Sequence, residues 1–321
     1  MSDRPAVSRR DCLTAAGLLA LGTASGAAPA AAAAAAGAAG AAGAAPRFGY
    51  CLNMGFLRAF RLPLDQEIAV AAEAGYGAIE PWIDNVRRYL AAGHSTEELR
   101  ALLAEKHLAV PGAIGFANWL ADDDAQRAKG LEQAKSDLEL VKSIGGTAMA
   151  APPSGHTDQP IDLRVAATRY RALLEVADAV GITALLEIWG FSNSVQNLAE
   201  ALAIAAEAGH PRAAVLPDVY HLYRGGSSFA ALGLLANTAF PVLHMNDYPD
   251  SPPREQLNDG QRRLPGEGSA PWPQILGGLR DRGWSGWLSI ELFPGAAPGE
   301  TALDRAKRGL AAMQGLVAKL A

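Results

Sequence analysis

Leu185-Leu186-Glu187-Ile188-Trp189 is a short apolar run interrupted by one carboxylate near its end, as where a parallel strand finishes and its loop begins. The pattern recurs downstream. Asp218 stands in Leu216-Pro217-Asp218-Val219-Tyr220-His221, His244 in Val242-Leu243-His244-Met245-Asn246-Asp247, and Glu291 in Leu288-Ser289-Ile290-Glu291-Leu292. The intervals between these four residues are 31, 26 and 47 positions, about what successive strand-helix units occupy, the last with an enlarged loop. Four consecutive strands are therefore expected to aim three carboxylates and an imidazole at one point.

Working outward, the alternation of apolar run and amphipathic segment repeats eight times from Arg47 onward. Strands are expected at 48–53, 77–82, 108–114, 147–151, 183–189, 213–218, 241–246 and 286–292. Helices fill the intervals: Leu131, Ala134, Leu138 and Val141 recur at helical spacing, as do Leu303, Ala306, Leu310, Met313, Val317 and Leu320. Ser95-Thr96-Glu97-Glu98 has the spacing of a capping box, and Gly75, Gly145, Gly181 and Gly209 stand where helices should end. Eight such units predict an α/β fold, a single (β/α)8 TIM barrel spanning 47–321, with all strand ends facing one mouth. An open doubly wound sheet is the alternative, but no Gly-rich phosphate turn follows the first strand.

The first 46 residues read differently. Ser8-Arg9-Arg10 precedes an apolar run from Leu13 to Leu21, and Ala and Gly make up nearly all of 27–45. This is the composition of a twin-arginine signal peptide followed by a low-complexity linker, so export in the folded state to the periplasm or medium is expected. The other reading is a chance arginine pair in a tail. Only Cys51 follows this segment, which leaves no partner for an intramolecular disulfide; a small buried hydrophobe is the expected role. Residues 1–46 carry three Lys/Arg and two Asp/Glu, so without them the net charge moves from −5 to about −6. The remaining basic residues form no block, which argues against nucleic acid or an anionic membrane as partner and against stable membrane association.

Two Glu, one Asp and one His make a hard ligand set. It suits one divalent ion such as Mn²⁺, Mg²⁺ or Co²⁺ better than a closed zinc site built on thiolates, and an ion that accepts six ligands keeps two positions for substrate oxygens. Each residue alone has a structural reading, as ion pair, turn cap or hydrogen-bonded core histidine; the four together favour a metal site.

With these marks in place the chain resembles the xylose-isomerase-like barrel superfamily, also described as the sugar phosphate isomerase/epimerase or AP endonuclease family 2 group. The resemblance runs over the whole of 47–321. It rests on Ala74-Gly75-Tyr76-Gly77-Ala78-Ile79-Glu80, Glu187, Asp218-x-x-His221, His244-x-Asn246-Asp247, Pro265-Gly266-Glu267-Gly268 with Trp272, and Gly286-Trp287-Leu288-Ser289-Ile290-Glu291. The motifs are nearest to those of ketose 3-epimerase and inosose dehydratase type proteins. The resemblance implies Mn²⁺ held by Glu187, Asp218, His244 and Glu291. It also implies Glu187 and Glu291 as the pair that moves protons through a cis-enediolate, and His221 as a hydrogen-bond partner of the substrate oxygen beside the metal. The epimerases' arginine six residues after the seventh-strand histidine is absent, since Asp250 stands there; Arg254 is the expected substitute, with Arg262 and Arg263 also near.

Strand ends and loops add Trp189 as a sugar-facing wall, with Trp82, Trp119 and Phe191 as further candidates. His156 is a possible substrate contact or loop cap, and Glu80 either a substrate contact or a support behind the ligands. The expected activity is a metal-dependent isomerase or epimerase of a free ketose, keto-sugar or inosose, exported folded by the twin-arginine machinery with its ion already loaded. A lyase or dehydratase of 3-keto-glycosides or inososes at the same site is the near alternative, and a non-catalytic sugar-binding barrel the distant one. A DNA repair nuclease of the same superfamily would need extra histidines and a basic stripe that this chain lacks.

Overall fold

The structure, a computed structural model, describes residues 48–320; the expected export signal and linker lie outside them. Among the described residues seven parallel strands are formed: β1 (Phe48–Asn53), β2 (Ala78–Glu80), β3 (Ala148–Ala151), β4 (Thr183–Glu187), β5 (Ala214–Leu216), β6 (Val242–Met245) and β7 (Gly286–Ile290). They pair in the orders β2-β1-β7-β6 and β3-β4-β5. Two links close the ring. One is the single bridge between Asp218 and His244, where the His244 N–H donates to the Pro217 carbonyl at 3.0 Å.

The other is the segment 108–114, which was expected as a strand and instead meets its neighbours through isolated bridges, Ala78 with Ala109 and Trp82 with Ile114. Thr147 and Ala150 on its far side donate to Val110 and Ala113. Pro111 has no N–H to give a ladder, and Gly112 lies where any side chain would collide with the Glu80 carboxylate. The interruption is thus what makes room for Glu80. The chain forms the expected barrel, with one stave irregular for that reason.

Around it run α1 (Leu64–Ala74), α2 (Ile83–Ala91), α3 (Thr96–Glu105), α4 (Asp124–Ser143), α5 (Leu163–Val180), α6 (Leu198–Ala208), α7 (Val219–Arg224), α8 (Trp272–Asp281) and α9 (Ala302–Ala318). The capping box of α3 is present, with Ser95 and Glu98 each accepting the other's backbone N–H, and Gly75 and Gly181 end α1 and α5 at left-handed φ. Ala134, Leu138 and Val141 are the buried stripe of α4, as their spacing predicts. Among the described residues no helix is long and apolar enough to cross a membrane.

Side-chain alternation then decides what faces the barrel axis. Ala184 and Leu186 pack outward among the helices, whereas Leu185 belongs to a small inner cluster with Ile114, Ala148, Ala150, Ala214, Leu216 and Val242. Two residues farther along three of these strands come Glu187 after Leu185, Asp218 after Leu216, and His244 after Val242. Inner apolar residues thus form a floor, and the ligand candidates stand one layer above it. Trp287 packs against the same floor, and Gly49 leaves it space that any side chain would take.

One buried carboxyl lies apart from the strand ends. Glu67 of α1 is 2% exposed and accepts from Asn85 Nδ2 at 2.9 Å, and burial pushes its pKa up to about 7 from an ordinary 4.5. The folded state therefore keeps a proton that the unfolded chain releases. No cost arises below about pH 4.5; it grows between 4.5 and 7 and is complete above 7, where it reaches roughly 3 kcal/mol. Glu67→Gln keeps an oxygen for Asn85 without the charge. Denaturant titrations at pH 5 and pH 8 are expected to show the variant gaining about 2–3 kcal/mol on wild type between the two; an unchanged gap would mean the carboxyl is solvated.

Candidate metal centre

Glu187 closes β4, His244 lies within β6, and Glu291 follows β7 directly. One ligand atom from each lies within 4.8 Å of the others, and all three residues are buried. Asp218 stands at the edge of this trio. Its Oδ2 is 3.9 Å from His244 Nδ1 but is already held by Asn246 Nδ2 at 2.6 Å and Arg262 Nη1 at 2.8 Å, while Oδ1 caps α7 by accepting the His221 N–H at 2.7 Å. The structure therefore brings the four expected ligands to one place, three as a compact group and the fourth beside it with other partners.

Charge crowding leaves its mark on them. Burial and the neighbouring Glu291 push the Glu187 carboxyl up to about 8, although His244 pulls the other way. Burial works against ionised Asp218 as well, but the Arg262 guanidinium, His221, His244 and the His221 N–H together outweigh it and hold that group down at about 2. For His244 burial opposes the imidazolium, and Glu291 and Glu80 overcome it, so its pKa stands well above the ordinary value.

His244 is also oriented for ligation. Its Nε2 lies 3.1 Å from Glu80 Oε2, an oxygen that also accepts from Ser289 Oγ. Its Nδ1 is buried, lies 3.0 Å from Glu291 Oε2, and has no hydrogen bond of acceptable geometry. A ring whose far nitrogen is tied to a carboxylate and whose near nitrogen faces carboxylate oxygens without a well-formed hydrogen bond matches a metal-binding histidine. The donor set, one imidazole with carboxylates, fits a divalent cation. Of the two roles expected for Glu80, this geometry favours the support behind the ligands: it lies behind His244 and orients it, and the space cleared by Gly112 is what lets it do so.

Arg254, the expected substrate contact, is not in the site. It pairs with Glu255 at 2.9 Å and is half exposed. The loop after β6 folds through two short 3₁₀ turns, Arg254–Gln256 and Asp259–Gln261, and returns antiparallel so that Asp247 and Arg263 exchange backbone hydrogen bonds at 2.8 Å. Alternation at that return turns Arg263 outward and Arg262 inward. Arg262 meets Asp218, Glu291 Oε2 at 3.3 Å and His221 Nε2 at 2.9 Å, with its guanidinium over the rings of Tyr220 and Phe293 at 4.7 and 5.4 Å.

His221 sits beside the cluster as expected. Burial and Arg262 lower its pKa to about 4, so the ring is neutral. Its Nδ1 faces the Gly190 N–H at 3.2 Å and its Nε2 faces Arg262. A neutral ring accepts at only one nitrogen, so one of these two donors is left without an acceptor there.

Trp189 is half-buried and belongs to an aromatic arc. Ring centroids step from Phe293 to Trp82 (5.9 Å), Phe116 (5.4 Å), Trp189 (6.3 Å), Phe191 (5.2 Å) and His221 (5.8 Å). Phe116 and Phe191 are 41% and 44% exposed, which is the surface a sugar's C–H face can cover. Trp119 is 1% exposed and donates to the Pro152 carbonyl, so it belongs to the core. His156 lies in the loop after β3, 3.0 Å from Asp122, and no contact joins it to the cluster.

Two residues of the site have roles that the sequence reading did not assign. Asn53 ends β1, gives Nδ2 to Glu291 Oε1 at 3.1 Å and accepts the Trp82 indole N–H at 2.9 Å. Asn246 ties Asp218 to the Tyr220 N–H and the Glu291 carbonyl. Both are polar residues where apolar strands finish, the same signal that marked the ligands. The Pro265-Gly266-Glu267-Gly268 and Trp272 motif has a structural explanation: the Gly266 and Ala270 N–H groups and the Trp272 indole all donate to Asp247.

Comparison with known proteins points the same way. A family model described as "Xylose isomerase-like TIM barrel" matches residues 68–314. An inosose isomerase of Halalkalibacterium halodurans is 26% identical over 238 residues, 72% of this chain and 83% of that protein. A D-psicose 3-epimerase of Agrobacterium fabrum is 27% identical over 241 residues, covering 70% and 78%. Among solved structures, the IOLI protein with a bound zinc atom superposes with a TM-score of 0.78 at 21% identity, covering 85% of this chain and 99% of that one, which bears on the fold.

Proposed function

Given that the chain belongs to the xylose isomerase-like TIM barrel family, we propose that it is a divalent-metal-dependent isomerase or epimerase of a ketose, keto-sugar or inosose. The observation that carries this reading is the convergence of Glu187, His244 and Glu291 within 4.8 Å, with His244 Nδ1 facing Glu291 without a well-formed hydrogen bond and Asp218 adjacent. The relatives' activities, isomerisation of inosose and 3-epimerisation of psicose, agree with it.

Glu187, Asp218, His244 and Glu291 would hold the ion, Mn²⁺ in our reading, with Mg²⁺, Co²⁺ or the zinc of the IOLI structure as alternatives. Bound there, it supplies Lewis acidity that polarises a substrate carbonyl and acidifies the neighbouring C–H. The chain's own groups do the rest. Glu187 and Glu291, the latter anchored by Asn53, face the same space from β4 and β7, so one takes the proton and the other returns it. His221 offers one nitrogen to a substrate hydroxyl in place of Arg262, and the aromatic arc excludes water from the sugar face. Twin-arginine export with the ion already in place belongs to the same proposal.

Incubation of Mn²⁺-loaded protein with ketoses and inososes in D₂O, followed by NMR, tests it. Deuterium is expected at the carbon beside the carbonyl, together with the epimer or isomer. Release of water or an aglycone in place of an isomeric product would assign the chain to the lyases, and no exchange with any such substrate would sink the reading.

A further inference from the structure

A cavity shares Trp82 with the aromatic arc. Its volume is about 430 Å³, and Arg58, Arg61, Arg88, Trp82, Glu67 and Asp84 are among its lining residues. Three guanidinium groups around one cavity are unexpected in a chain of net charge −5, and among the described residues none of the three forms an ion pair. Arg58 lies over the Trp82 ring at 5.3 Å from its centroid, and Arg88 donates to the Asn85 side-chain oxygen. Of the two acids in the lining, Glu67 retains its proton to about pH 7 and is engaged by Asn85, which leaves Asp84 against three positive charges.

The backbone supplies an independent sign. Arg61 ends the 3₁₀ turn Met54–Phe60 at φ 52°, and its N–H donates to the Arg58 carbonyl at 3.2 Å. A long side chain in the left-handed region is costlier than glycine there, and such positions are retained where the side chain has a use. The turn sets Arg61 beside Arg58 on the cavity wall. That wall is two hydrogen bonds from the cluster, since the Trp82 indole donates to Asn53 and Asn53 donates to Glu291.

We propose that this cavity binds an anionic substituent of the substrate, a carboxylate or a phosphate ester, while the reacting carbons lie at the cluster, so that the preferred substrate is an acidic keto-sugar. Guanidinium forks match both anions through paired N–H···O bonds. This rests on the function proposed above only for what happens at the cluster; anion binding is measurable without turnover.

The test is calorimetric titration of the full chain, purified without chelator, with glucuronate, glucose 6-phosphate and glucose. At least one of the acids is expected to bind about tenfold or more tightly than glucose, and whichever does so identifies the anion. The preference should weaken as NaCl is raised and fall to near parity in the double variant Arg58→Met/Arg88→Met. The variant Arg61→Gly should melt no lower than wild type, because backbone strain is relieved, while losing several-fold in acid binding. Equal binding of acid and glucose, no binding of any of the three at millimolar concentration, or a preference that survives in Arg58→Met/Arg88→Met would overturn the proposal. None of these outcomes depends on deuterium exchange, so they separate its failure from failure of the proposed reaction.

Discussion

Glu187→Gln and Glu291→Gln are each expected to lower deuterium incorporation into substrate by about a thousandfold, within the 10²–10⁴ range of positioned acid–base groups. The amide keeps size in both cases, and in Glu291→Gln an oxygen can still accept from Asn53. What disappears is the capacity to carry a proton. Both residues are also proposed ligands, so a loss of rate by itself does not separate proton transfer from weakened ion binding. Asp218→Asn supplies the control, because Asp218 is engaged by Asn246, Arg262 and the His221 N–H and is assigned no proton. Raising Mn²⁺ to saturation should restore much of the exchange rate in Asp218→Asn and little of it in the two glutamate variants. If Glu291→Gln regains the wild-type rate at saturating ion, its role is ligation alone and the proton carrier must be sought elsewhere.

The contrast between these residues and Arg262 shows what a sequence can and cannot carry. Strand-end placement follows from a period of two: Leu185, Leu216 and Val242 face inward, so Glu187, Asp218 and His244, each two positions later, must do the same. That rule is local and was legible, and Asn53 and Asn246 would have yielded to it too. The irregular stave at 108–114 was legible as a position but not in its form, because Pro111 and Gly112 serve a contact with Glu80, a residue 31 and 32 positions away. Glu80 was itself legible as a barrel residue. Its role was left between substrate contact and support behind the ligands, since that depends on which neighbours take its oxygens, and His244 and Ser289 do so from β6 and β7. Arg262 lies beyond any periodic rule. Its direction is set where a loop of 3₁₀ turns folds back to pair Arg263 with Asp247, and nothing in the spacing of Arg254, Arg262 and Arg263 distinguishes them.

That placement makes Arg262 the counter-charge of the cluster, with a measurable consequence. Its side chain is 2% exposed and bridges Asp218 and Glu291, with Asp259 at its outer edge. Arg262→Met preserves an unbranched stem against Tyr220 and Phe293 but leaves Asp218 as a buried carboxylate without its partner. Removing one member of a buried pair costs about 3–5 kcal/mol. In a chelating buffer the variant is therefore expected to melt roughly 10 °C below wild type, at about 2–4 °C per kcal/mol for a chain of this size. A divalent cation at the cluster supplies the missing charge, so added Mn²⁺ should close most of that gap. Linkage fixes the corollary: if the ion recovers about 3 kcal/mol that Arg262 otherwise provides, the variant binds it roughly a hundredfold more tightly than wild type does. Stability without the ion and affinity for it should thus move in opposite directions, and turnover should fall because His221 and the substrate lose a positioned donor. Equal melting of the two proteins in chelator, or weaker ion binding by Arg262→Met, would mean that the guanidinium and the cation do not share the charge of Asp218 and Glu291.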